Sequence, residues 1–340
     1  MEAPLTPRAL RRVSRECAEK SYDVAAAGLN EDWGSTWDGR DLQRWAQKVG
    51  GRLEAERAAE VLAYQCGQQP PPPANAPELL VIGVDGGRVQ LADADPETGS
   101  RWREDKVATF TTYVSGDGKD VAPRPLVTTH VASMEKTEAF GPIAQVEGAR
   151  RAWRYAKEVL AIADCGNWID PLLEREFPGI PRIADWSHAK EHLYACGRAI
   201  HGTDAPQACV LSERWVTLLW EGRVAQVLPE LRAQARRRGA PRKTDGPDHP
   251  RRVLSQNVGY FEKNQAHMNY PEYRRKGWPI GSGNVEAGVK QFNKRVKGTE
   301  QFWHPPGVEA VLCLRALLLS QDGRWARYWA ARPAYLRRAA

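Results

Sequence analysis

The chain has 340 residues, enough for one large hydrophobic core or several modest ones without disulfides or metals as staples. Hydrophobic residues at 42% and charged residues at 27% give the balance of a globular protein and argue against a disordered or membrane-embedded chain. An excess of 49 Lys and Arg over 42 Asp and Glu leaves a formal charge of +7, a mild bias toward polyanionic partners.

No stretch approaches the roughly 18 uncharged apolar residues of a membrane span, and the N-terminus lacks the apolar core of a secretory signal, so the expected location is the cytoplasm. The cysteines at 17, 66, 165, 196, 209 and 313 are scattered without zinc-like spacing and read as reduced packing thiols.

Residues 1–67 carry apolar residues at helical spacing. In RDLQRWAQKVGG, Leu42, Trp45 and Val49 share one face, and Arg40, Arg44 and Lys48 form a basic face beside it. Such a segment suits a small DNA-binding module equally well as an amphipathic helix packed on the main body. The proline run within residues 68–77 reads as a stiff, extended linker.

Beyond it, residues 78–200 change period. LLVIGVD is a continuous apolar run ending in an acid, the pattern of a buried central strand. RVQLAD and VATFTTYV follow around the turn-forming DADPETGS and complete an expected three-strand meander. A helical stretch from Glu135 to Glu158 precedes VLAIAD, a second buried strand; a helix through Trp168 and Leu172 comes next, then the strand IPRIAD and a helix over SHAKEHLYACGRAI. Strands alternating with helices imply parallel crossovers, and the succession predicts an α/β fold with an RNase H-like mixed sheet.

Residues 201–278 read as a helical, basic insertion with an irregular charged middle that includes Arg236, Arg237, Arg238, Arg242 and Lys243. Residues 279–340 hold the last helices, one through VEAGVKQFNKRVKG and one through VEAVLCLRALLLS.

The chemistry concentrates in three acids. Asp85 in GVDGG and Asp164 in IADCGNW each end a buried strand, and such strands open at their C-terminal ends into one crevice. Two carboxylates this close resist joint ionisation unless a hard cation such as Mg²⁺ lies between them. Gly86, Gly87 and Gly166 beside them are expected to leave room for a phosphodiester. A paired-metal centre needs a further acid, and Glu286, one turn into a helix that then presents Lys290, Lys294, Arg295 and Lys297, is the candidate. Each aspartate taken singly reads as well as a helix cap or a turn former.

At GVDGG, ADCGNWI, DWSHAKEHL and PIGSGNVEAGVKQFNKRVKGTEQFW the chain resembles the DDE transposases of bacterial insertion sequences, most closely the ISKra type, over about residues 78 to 330. The resemblance implies an RNase H-like core interrupted by a helical insertion, with Asp85, Asp164 and Glu286 as catalytic metal ligands. It implies two Mg²⁺ or Mn²⁺ ions, transposon-end and target DNA as partners, and a homo-oligomer on DNA. Asp185 and His188 match an acid and histidine pair of that family, either as accessory residues or as a plain helix cap with a packed His. Trp303 is a candidate to stack on an unpaired base, or a core residue. The stretch before Asp85 is shorter than the resemblance leads one to expect, which suggests a truncated DNA-recognition module. A catalytically decayed DNA-binding relic and an RNase H-like nuclease or resolvase are the competing readings.

Overall fold

The computed structural model describes residues 5–70, 75–96, 98–116, 121–164, 166–298 and 301–332. Three helices come first: α1 (Pro7–Glu19), started by the Thr6 side chain; α2 (Tyr22–Trp33); and α3 (Gly39–Gln65), which opens on a reciprocal Asp38–Asp41 capping box. Three strands follow, β1 (Leu79–Gln90), β2 (Trp102–Val114) and β3 (Arg124–Ser133), paired antiparallel. Helix α4 (Thr137–Arg150) leads to β4 (Glu158–Ala163), and α5 (Ile169–Glu176) to β5 (Arg182–Ala184). β4 lies parallel to β1 and β5 parallel to β4, giving one mixed sheet in the order β3-β2-β1-β4-β5.

The strands differ from the expected ones in two ways. LLVIGVD and the following RVQ are one continuous strand, because Gly86 and Gly87 stay in register opposite Lys106 and Asp105 instead of turning. The third strand is Arg124–Ser133, whose buried Thr128, Thr129, His130 and Ser133 give it no apolar alternation to read.

Alternation along β1 sorts its side chains onto two faces. Leu80, Ile82 and Val84 meet Phe140 and Ile143 of α4 and Leu172 and Leu173 of α5. Leu79 and Val81, with Leu160 and Ile162 of β4, meet the other layer. That layer holds α6 (Trp186–His201), α7 (Pro206–Trp220), α8 (Val224–Arg238), α9 (Pro250–Asn264) and α10 (Tyr270–Arg275), contributing Leu193, Trp215, Leu231, Phe261 and Tyr270. The ELRAQARRR segment, expected to be irregular, is the body of α8, with Arg236 to Arg238 in its last turn, where cations suit the helix dipole. Arg236, Arg237, Arg242 and Lys243 are exposed.

The chain then returns to the sheet through α11 (Gly283–Val296), α12 (Pro305–Leu319) and α13 (Arg324–Ala330). The helices before the proline run share a core with this end of the chain: Leu10, Val13, Leu29, Leu42 and Val49 pack with Leu314 and Trp329. Lys48 lies over the ring of the partly buried Trp45, 5.2 Å from its centroid. Among the described cysteines, all free, Cys17, Cys196 and Cys313 are buried, whereas Cys66 and Cys209 are exposed. No helix among the described residues is long and apolar enough to cross a membrane.

Candidate active site

Parallel pairing sets the site. Gly83 of β1 is in register with Ile162 of β4, and Ala163 of β4 with Ala184 of β5. Two residues beyond Gly83 and Ile162 stand Asp85 and Asp164; one beyond Ala163 and Ala184 stand Asp164 and Asp185. Three aspartates therefore stand at one level of three adjacent parallel strands: Asp164 and Asp185 just past the ends of β4 and β5, where open α/β sheets bind ligands, and Asp85 within β1, which runs on beside β2. By alternation Asp85 shares its face with Gly83 and Gly87.

Asp85 is partly buried, and its Oδ1 accepts a 2.7 Å hydrogen bond from the Gly86 amide. Burial, followed by the charge of Asp164, raises its pKa to about 6. Asp164 Oδ1 accepts the Gly166 amide at 3.0 Å. Asp185, 3% exposed, has a different occupation. It caps α6, one oxygen accepting the His188 amide at 2.6 Å and the other the Ser282 amide. The Ile280 carbonyl accepts in turn from the Trp186 amide at 3.0 Å. Asp185 thus ties the end of β5 to the entry of α11, the cap reading of this residue.

Helix α11 lies across the Asp85 face of β1. Its Val285 fills the space over Gly83, where an added Cβ would meet Val285 Cγ2 at 1.9 Å. Val289, Phe292 and Val296 follow on the same helical face, against Val89 and Val107. Glu286 is one residue from the Val285 contact. Its side chain is 55% exposed and forms an ion pair with Lys290 at 2.5 Å, so Glu286 is carried on the helix packed against the Asp85 face of β1 and is paired along that helix. Among the described residues no three His, Cys, Asp or Glu side chains converge as a ready-made metal cage.

Lys294 and Lys297 are exposed. Two other candidates on this segment, Arg295 and Trp303, are interior, which corrects the expected place of Arg295 in a DNA-facing row. Arg295 is 2% exposed, donates to the Cys17 carbonyl at 2.8 Å, and stacks between the rings of Tyr22 and Trp303. Trp303 is 6% exposed, its indole nitrogen bonded to the Val296 carbonyl at 2.9 Å. The core reading of Trp303 holds, and Phe302 is the exposed aromatic beside it.

The space beside the glycines after Asp85 is also taken. A Cβ on Gly86 would meet Glu104 Oε1 at 2.6 Å, and one on Gly87 would meet Asp105 Oδ1 at 2.4 Å. These glycines admit carboxylates of β2 rather than a ligand.

Near the pair stand His188, an accessory candidate from the sequence, and several residues that escaped the sequence reading. His188 is exposed enough to reach solvent and lies near enough to Asp85 for its charge to act on it. His192, one turn on, meets the His188 ring edge-on, stacks on Tyr260 at 3.9 Å and bonds Asn257 Oδ1 at 2.6 Å. Its pKa is lowered, chiefly by burial. The i, i+4 spacing of these histidines on a helix entering from a site strand was the available signal. On β2, Glu104 accepts the Trp168 indole N–H at 3.2 Å, and Lys106 lies 5.3 Å from the centre of that ring. Asp105 is fully buried, with its pKa raised to about 6 mainly by desolvation. No local pattern marks these three, because strand pairing brings them to the site.

No protein-family model matches the chain. No curated protein matches it. Among solved structures it is similar to one described as the Drosophila P element transposase strand transfer complex, at 12% identity and a TM-score of 0.37, covering 95% of this chain and 93% of that one. A likeness of that size fixes neither a family nor a function.

Proposed function

We propose that the chain is a DNA transposase of the DDE kind, with an RNase H-like catalytic core, that cleaves and joins phosphodiester bonds using Asp85, Asp164 and Glu286. The carrying observation is the shared register of Asp85 and Asp164 on adjacent parallel strands, beneath the helix that bears Glu286. The transposase-like motifs of the sequence converge on this place.

The aspartate pair fits a hard divalent cation, since two neighbouring carboxylates, one held back from ionising by burial and then by the charge of the other, present oxygen donors only. Asp85 and Asp164 would hold Mg²⁺ or Mn²⁺, with Glu286 as the further ligand. What two such ions supply when bound is polarisation of the phosphate and stabilisation of the attacking and leaving oxygens. The chain's own residues do the rest. Lys290 keeps Glu286 neutralised until DNA competes for the lysine. Lys294 and Lys297 neutralise phosphates flanking the scissile one, positioning the strand without reading its sequence. Transposition requires two DNA ends in one assembly, so the working form is a homo-oligomer on transposon-end and target DNA.

The ion pair of Glu286 with Lys290 also gives footing to a second reading, a DNA-binding relic in which the third acid no longer serves chemistry. Purified protein, DNA carrying the ends of the element, and Mg²⁺ or Mn²⁺ separate the two. Metal-dependent cleavage and strand joining, lost by a factor on the order of 1,000 in Asp85→Asn, Asp164→Asn and Glu286→Gln, is the expected result. Tight binding without cleavage favours the relic; cleavage without joining favours a nuclease or resolvase.

A further inference from the structure

We infer that Asn293 and Asp105 form a side-chain clasp across Gly87 that sets the rotation of α11 and so aims Glu286 toward the Asp85 and Asp164 pair. The inference rests on the catalytic reading above.

Asp105 has no exposed surface, and among the described residues no hydrogen-bond partner reaches either carboxylate oxygen. Asn293 Oδ1 is likewise buried and unpartnered. The two groups meet over one backbone position. A Cβ on Gly87 would lie 2.4 Å from Asp105 Oδ1 and 2.5 Å from Asn293 Oδ1, so only the missing side chain lets them approach. A carboxylate and an amide left unbonded in such a place are strongly disfavoured. Turning the Asn293 amide end for end, which leaves its shape unchanged, presents its NH₂ to Asp105 Oδ1 and gives that oxygen a charge-assisted bond in place of two facing acceptors.

The clasp sits where orientation is needed. Glu286, Lys290 and Asn293 follow i, i+4 and i+7 spacing and so lie along one side of α11. The sheet-facing residues Val285, Val289, Phe292 and Val296 make apolar contacts, which hold the helix down but are poor at fixing its rotation. Glu286 pairs only along its own helix, with Lys290. The Asp185 bond to the Ser282 amide fixes where α11 begins, and a directional bond from Asn293 two turns beyond Glu286 fixes which way the acid points. Asn293 and Asp105 are on this view positioning residues that touch no substrate.

The test uses the full chain with Asn293→Ala, Asp105→Ala, their double variant, Asn293→Asp, and the exchange Asn293→Asp with Asp105→Asn. Thermal unfolding reads the clasp, and metal-dependent cleavage per folded molecule, separated into kcat and KM for DNA, reads the aim of Glu286. Expected are non-additive stability losses for the two alanine variants, a larger loss for Asn293→Asp alone, and recovery in the exchange. Asn293→Ala is expected to lower kcat on the order of 100-fold with little change in KM, and the exchange to restore it. Additive losses, or no recovery in the exchange, overturn the clasp. Coupled stability with unchanged kcat overturns its positioning role. Coupled stability in a parent chain that cuts no DNA leaves the clasp standing and removes the catalytic reading.

Discussion

Asp85 and Asp105 are held in surroundings that favour their protonated forms. Burial is the first cause for both; the charge of Asp164 adds to it at Asp85, and the charges of Glu104 and Asp85 add to it at Asp105. Each pKa of about 6 lies above the unfolded value near 4, so the stability each contributes is fully present below about pH 4 and is lost as pH rises through about 6. His130 acts in the opposite sense. Its burial lowers its pKa to about 4, so its contribution weakens as pH falls from about 6.5. The informative comparison is thus variant against parent at each pH. In chelator, Asp85→Asn is expected to raise the melting temperature at pH 7 to 8 and to leave it nearly unchanged at pH 4. A melting curve for Asp85→Asn that tracks the parent at every pH would discard the account of that residue. Asp85 and Asp164 were legible in the sequence because an apolar run that stops at an acid is a local signal. Asp105 was not, since its importance comes from lying opposite Gly87 in a neighbouring strand.

At the scale of elements, α3 crosses α12 at close range. Gly50 has no room for a methyl group, because a Cβ there would lie 2.5 Å from Ala310 Cβ and 2.6 Å from its Cα. Gly51, one residue on, has nothing within 4 Å. Gly50→Ala is therefore expected to destabilise by about 1–3 kcal/mol through overpacking. Gly51→Ala should stabilise by about 0.4–1 kcal/mol through reduced freedom of the unfolded chain. Denaturant unfolding of the two variants checks this, and equal effects would contradict the crossing. The same pair shows why helices were easier to foresee than their partners. By itself the GG in VGGRL is a stop signal, yet α3 runs on to Gln65, because one glycine is consumed by a contact with a distant helix. β1 repeats the lesson at Gly86 and Gly87.

Across the whole molecule, a buried acid stitches three regions. Glu309 of α12 is bonded by Arg57 of α3 at 2.6 Å, by Ser133 at 2.7 Å and by the Met134 amide at 2.8 Å. Removing it leaves the partly buried Arg57 without its carboxylate and the buried Ser133 hydroxyl and Met134 amide without their acceptor, so Glu309→Ala is expected to cost about 2–4 kcal/mol. With the shared core of α1 to α3 and α12 to α13, this predicts one cooperative thermal transition for the N-terminal helices and the sheet, measured by calorimetry. Two separable transitions would instead mark the first helices as an independent module.

Trp168 gives the site an optical and magnetic handle. Its indole N–H is held by Glu104 and its ring lies beside the Lys106 ammonium, a few residues past Asp164. In protein grown with fluorinated tryptophan, the resonance that vanishes in Trp168→Phe identifies this ring among the 13 tryptophans. Its shift on adding Mg²⁺ then reports occupancy in the absence of DNA, so that cation affinity becomes measurable before any substrate is known.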